Sequence, residues 1–127
     1  PQHQKFQLDG VQHISPVEAF NLLKEDKAML IDVREKEECE VERVNLENVK
    51  NYPMTEIIDN LKHLPEDILL ITMDSIGERG TKVANLLNIQ KFKHVANLDG
   101  GLVQWRAENL PVENILPDAC GCSSCCS

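Results

Sequence analysis

Six consecutive residues, Asp74-Ser75-Ile76-Gly77-Glu78-Arg79, place two carboxylates, a hydroxyl and a guanidinium in one short stretch. The stretch follows the apolar run Ile68-Leu69-Leu70-Ile71-Thr72-Met73 and precedes Gly80-Thr81-Lys82-Val83-Ala84-Asn85-Leu86-Leu87, which has the apolar spacing of a helix. A loop leading from a strand into a helix can turn successive backbone N–H groups inward, and the helix start adds positive potential. Such a cradle favours anions, and Asp74 supplies one. Two readings stand side by side. The Asp74 carboxylate folds into the ring of amides and fills the site, with Arg79 as charge partner; or it caps the helix that begins near Arg79, or points to solvent. Ser75 lacks a neighbouring histidine in sequence, and a nucleophilic serine needs an adjacent base, so its hydroxyl reads as bonding to backbone.

Cysteine supplies the second candidate chemistry. Cys39 stands alone in the body of the chain, while Cys120, Cys122, Cys125 and Cys126 crowd the last eight residues. Thiols so close together close almost no loop, so they are poor staples for a core. As soft ligands they suit zinc or copper(I), although tetrahedral sites usually draw on two separated Cys-x-x-Cys pairs. As nucleophiles they could carry a sulfur as a persulfide. The plain alternative is an exposed tail whose cysteines oxidise or scavenge metal incidentally. His3, His13, His63 and His94 show no helical metal-ligand spacing and read as surface or structural residues.

The elements that must position these groups alternate along the chain. Ser15-Pro16-Val17-Glu18 combines a capping serine, a proline suited to the first helical position and a glutamate three residues after the cap, predicting a helix over 16–25. Ala28-Met29-Leu30-Ile31-Asp32-Val33 is a continuous apolar run fitting a strand buried on both faces. Charged residues from Arg34 to Arg43 read as a short solvated helix. Val49 to Tyr52 reads as a strand stopped by Pro53, and Thr55 to Leu61 as a short helix capped by Thr55. Further strands are expected over 68–73 and 94–98, with a closing helix over 102–108 anchored by Trp105. Strands alternating with helices imply an α/β fold with a mainly parallel sheet covered on both faces. Pro111 to Ser127, with Pro117 and small residues, reads as an extended or mobile tail.

Composition narrows the classes. At 127 residues the chain suits one domain with a real core. A formal charge of −8, from 21 acidic against 13 basic side chains, argues against nucleic acid and membrane surfaces as partners. No apolar run reaches the roughly 20 residues of a membrane span, and the first residues lack a signal-peptide core, so a cytoplasmic location is expected.

Three separated motifs carry a family resemblance: Ile31-Asp32-Val33-Arg34, the 74–79 loop, and Asn97-Leu98-Asp99-Gly100-Gly101 followed by Trp105. In order and spacing they resemble rhodanese-like domains over about residues 11–112. The resemblance implies a central, mainly parallel five-stranded sheet with helices on both faces and the loop at the carboxyl end of a strand. With the composition of the last residues, this divides the chain into a domain over 1–112 and a cysteine-rich tail over 113–127. Asp32, Arg34 and Asp99 fall at positions that brace the pocket in that family. The loop there opens with a sulfur-carrying cysteine, and here that position is Asp74. Arg43 lies near a position usually held by histidine, and Cys39 where an aromatic often sits, which suggests packing for the latter. Cell-cycle phosphatases share the architecture but need a cysteine and a loop one residue longer, and Glu78 adds charge repelling a phosphate ester.

These residues together point to a rhodanese-like scaffold without the loop-cysteine sulfurtransferase activity, acting as a binding or regulatory module. Its partner would be a protein or a small anionic sulfur species. The alternative is a sulfur-handling or metal-handling protein that uses Cys120, Cys122, Cys125 and Cys126.

Overall fold

A computed structural model describes residues 1–115 of the chain. Buried apolar runs form the centre of a five-stranded parallel sheet. Its strands are β1 (His13–Ile14), β2 (Ala28–Asp32), β4 (Val49–Asn51), β5 (Leu69–Met73) and β6 (Val95–Leu98). They lie in the spatial order β1-β6-β5-β2-β4, each pair parallel. A separate antiparallel pair joins β3 (Glu42–Arg43) to β7 (Glu113–Asn114).

Strand side chains alternate between two cores because successive residues face opposite sides of a sheet. Leu30, Ile71, Met73 and Leu98 point to one face, where α1 (Pro16–Lys24) and α4 (Gly101–Ala107) pack. Ile31, Leu70 and Val95 point to the other, against Val83, Ala84 and Leu87 of α3 (Glu78–Ile89). Ser15 caps α1 by accepting the Glu18 N–H at 3.2 Å, and Pro16 occupies the first turn. Trp105 is fully buried, meets Phe20 of α1 edge to face at 5.8 Å, and donates its indole N–H to the Pro111 carbonyl.

Three expectations need correction. The 34–43 segment is not simply a solvated helix: α2 covers only Lys36–Cys39, β3 comes after it, and Arg34 and Cys39 are buried. The 55–61 stretch forms two 3-10 turns, Met54–Glu56 and Ile58–His63, rather than a helix capped by Thr55. The Thr55 hydroxyl instead donates to Glu35 Oε2 at 3.3 Å, and Pro53 at the preceding position supplies no side-chain cap. Finally, the segment from Pro111 to Ile115 is docked, through Trp105, β7 and the Ile115 N–H on the Val41 carbonyl. Cys120, Cys122, Cys125 and Cys126 lie outside the described residues.

Candidate functional site

The 74–79 loop stands at the carboxyl end of β5, where open α/β sheets gather ligands. Asp74 is 1% exposed. Its Oδ1 accepts the Gly77 N–H at 2.6 Å and its Oδ2 accepts the Arg79 N–H at 2.9 Å. The carboxylate thus lies inside the curve of the loop and engages amides at the start of α3, where the helix dipole favours negative charge.

Glycine makes the curve possible. Gly77 has φ +109°, a conformation L side chains rarely adopt. Gly101 serves close approach: a Cβ there would lie 2.6 Å from the carbonyl oxygens of both Asp74 and Ser75. Its absence lets α4 donate the Leu102 N–H to Asp74 O at 2.8 Å and the Val103 N–H to Ser75 O at 3.0 Å. Two threonines hold the loop from below: Thr81 Oγ1 donates to Gly77 O at 2.6 Å, and Thr72 Oγ1 to Gly80 O at 2.7 Å.

Arg79 divides its guanidinium between two carboxylates, pairing with Asp74 as the sequence suggests and with Glu38. Its Nε lies 3.6 Å from Asp74 Oδ2, beyond a good hydrogen bond, while its two terminal nitrogens grip Glu38 at 2.7 and 2.9 Å. The guanidinium's hydrogen bonds hold the Glu38 carboxyl well below its usual range, at about 2, against an opposing push from burial. The same pairing raises the Arg79 pKa. Glu38 is presented by a capping box in which its Oε2 also accepts the Glu35 N–H. The sequence expectation paired Arg79 with Asp74 and left Glu38 unassigned; the Glu35-x-x-Glu38 spacing is the signal that could have found it. Ser75 Oγ lies 3.4 Å from Arg79 Nη2, a cation and no base.

The remaining residues singled out in the sequence spread around the loop. Asp32 and Arg34 form a buried bidentate pair, with Nε to Oδ1 at 2.9 Å and Nη2 to Oδ2 at 2.8 Å. Burial works against the charge on Arg34, but the hydrogen bonds and charge of Asp32 outweigh it and raise its pKa. Cys39 donates its thiol to Asp32 Oδ2 at 3.4 Å. Burial first, and then the Asp32 charge, push that thiol up to about 12, so it is a poor nucleophile. A cleft of about 390 Å³ lies beside it, lined by Asp32, Lys36, Arg43 and Asn51 among others, and no loop residue lines it. Arg43 itself is exposed and pairs with Glu113 at 3.0 Å. Asp99 accepts the backbone N–H groups of Gln2 and His3, at 2.8 and 3.1 Å. Among the described residues, no three histidine, cysteine or acidic side chains gather as a metal site. No helix among them is long and apolar enough to cross a membrane.

Comparison with known proteins agrees with this architecture. The rhodanese-like domain model matches residues 15–108. A thiosulfate sulfurtransferase, GlpE of Vibrio cholerae, is 25% identical over 107 residues, which cover 84% of this chain and 98% of that protein. The crystal structure of a rhodanese-related protein from Thermoplasma volcanium superposes with a TM-score of 0.71 at 24% identity, over 80% of this chain and 97% of that one. A polysulfide-sulfur transferase from Wolinella succinogenes gives 0.70 at 25% identity, over 81% and 78%. Sheet order, loop placement and the residue 15–108 match together make this chain a member of the rhodanese-like domain family.

Proposed function

We propose that this domain is catalytically degenerate in its native loop and serves as a binding or regulatory module. One observation carries the reading: both oxygens of Asp74 occupy amides of the loop, at 2.6 and 2.9 Å. A sulfurtransferase needs at that place a thiolate that can attack a sulfane sulfur and hold it as a persulfide. A carboxylate has no sulfur with which to make that bond, and here it also engages the donors that would stabilise the charge. Small sulfur anions are disfavoured for the same reason, which leaves a protein as the better partner. The −8 charge of the chain disfavours nucleic acid and anionic membranes in that role. The module fits the cytoplasm, where thiols such as those of the tail stay reduced.

A second reading is favoured by the docking of Ile115 onto the segment that carries Glu38. The Ile115 N–H donates to Val41 O, the Val41 N–H to Glu38 O, and Glu38 grips Arg79 of the loop. Cys120 comes five residues after Ile115 in sequence. A tail thiolate could attack the outer sulfur of thiosulfate, form a persulfide and release sulfite.

Thiosulfate:cyanide sulfurtransferase activity separates the readings. It is measured for the native chain, for Asp74→Cys and for a truncation after Pro117. The degenerate-loop reading expects activity in Asp74→Cys alone. Native activity that vanishes on truncation establishes the tail route instead, and native activity that survives truncation overturns both.

A further inference from the structure

We propose that residues 2–4 form a latch that holds the loop closed around Asp74, with Gln4 as the residue coupling the two. This lies outside the segment matched by the family model, residues 15–108.

The Gln4 side chain bridges two loops that extend from neighbouring strands. On one side its two Nε2 protons go to its own neighbour Phe6 O at 2.8 Å and to Thr81 Oγ1 at 2.9 Å, the latter shared with Gly77 O at 3.2 Å. On the other, its Oε1 accepts the Gly100 N–H at 2.8 Å and Asn97 Nδ2 at 3.0 Å. The orientation of the amide is fixed by chemistry, since Gly100 N–H can only donate and Phe6 O can only accept. Thr81 Oγ1 spends its proton on Gly77 O and so presents a lone pair to Gln4. Gln4 therefore grips the same residue, Gly77, whose N–H is fixed on Asp74.

The backbone of both loops is shaped to admit the strap. A Cβ on Gly77 would run into the end of the Gln4 side chain, and a Cβ on Gly100 would fall 2.6 Å from the Gln104 Cβ of α4 and 2.8 Å from the His3 Cβ. Either substitution would collide with the strap, apart from the strain of its positive φ. Asp99, at the turn after β6, then secures the strap's own backbone through Gln2 N–H and His3 N–H. Farther along, the Phe6 ring lies 5.6 Å from Lys82 Nζ of α3. A hollow of about 410 Å³ lies between strap and loop tip, walled by Gln4 and Phe6 on one side and Ile76 and Glu78 on the other. A partner that draws the strap aside would release the carbonyl side of Gly77 and loosen the ring around Asp74.

Amide hydrogen exchange on the full chain, read residue by residue, tests this. Gln4→Ala is expected to speed exchange at Gly77 and Arg79 by roughly tenfold, along with Gly100, while the central strand amide of Ile71 keeps its native rate. Gln4→Glu keeps an acceptor for Gly100 but loses the donor to Gly77, so it should speed Gly77 and Arg79 and leave Gly100 protected. Fast Gly100 exchange with native rates at Gly77 and Arg79 in Gln4→Ala would overturn the coupling. So would a Gln4→Glu chain whose Gly77 and Arg79 amides exchange at the native rate. If Gln4→Ala accelerates every amide including Ile71, Gln4→Glu decides alone.

Discussion

Two aspartates end adjacent strands of this sheet, each with an arginine shortly after it, and they solve burial in different ways. Asp32, at the end of β2, is held mainly by side chains: the Arg34 guanidinium takes both its oxygens and Cys39 donates to one, with a single backbone N–H, that of Arg34, at 3.1 Å. Asp74, just past β5, is hydrogen-bonded by backbone, while its arginine keeps an ion pair with it at 3.6 Å and makes its short hydrogen bonds to Glu38 on another element. The cause lies in the chain just beyond each strand. Both segments enter a helix four residues after the aspartate, at Lys36 and Glu78. After β2, however, the residue before the helix, Glu35, is extended, only the Arg34 N–H reaches Asp32, and a side-chain cation balances the charge. After β5 the chain turns at Gly77 directly into α3, and its amides point inward. An aspartate next to an arginine is thus a bracing pair in one place and an occupied cradle in the other.

The largest expected effect comes from the side-chain-held member. Arg34→Ala leaves Asp32 buried with its main partner gone, and urea denaturation should show a loss of about 3–5 kcal/mol. Asp74→Ala removes the acceptor for two loop amides and should cost about 1–3 kcal/mol in the same measurement. Arg79→Ala should cost below about 1 kcal/mol, because the pair with Glu38 is 29% and 35% exposed and Asp74 keeps both of its amides. A larger loss for Arg79 than for Arg34 would collapse the distinction between the two sites.

That distinction was only partly legible in the sequence. The strand, the loop and α3 are contiguous, so their local pattern exposed the cradle and left two fates open for Asp74. Asp32 and Arg34 are two residues apart and were recognised together. The partner of Arg79 was not, because Glu38 is 41 positions away and hydrophobic periodicity says nothing about where a surface carboxylate will meet a cation. Gln4 escaped notice for the same reason, at separations of 73 and 96 residues from its partners Gly77 and Gly100. The docking of 111–115 depended on the Trp105 indole and on the exposed edge of β3, neither visible in a segment of prolines and polar residues.

Smaller effects come from titration. Glu38 is held at about 2 in the folded chain against 4.5 ordinarily, so its clamp on Arg79 contributes stability that is fully present above 4.5. The contribution fades as pH falls from there towards 2, and Glu38→Gln should remove that slope from a plot of unfolding midpoint against pH. Cys39, pushed up to about 12, should resist iodoacetamide at pH 8 in the folded chain and react once urea unfolds it. Peptide mapping of alkylated Cys39 from folded protein would contradict its placement against Asp32.

The central claim is that the cradle persists with a carboxylate in place of the sulfur carrier. Its most direct test is to incubate the full chain and Asp74→Cys with thiosulfate and map persulfides by peptide mass spectrometry. The account predicts no persulfide within residues 1–115 of the native chain, and one at position 74 of the substituted chain. An unmodified position 74 in a folded Asp74→Cys chain would mean that the loop no longer forms a competent cradle, and the account would fail.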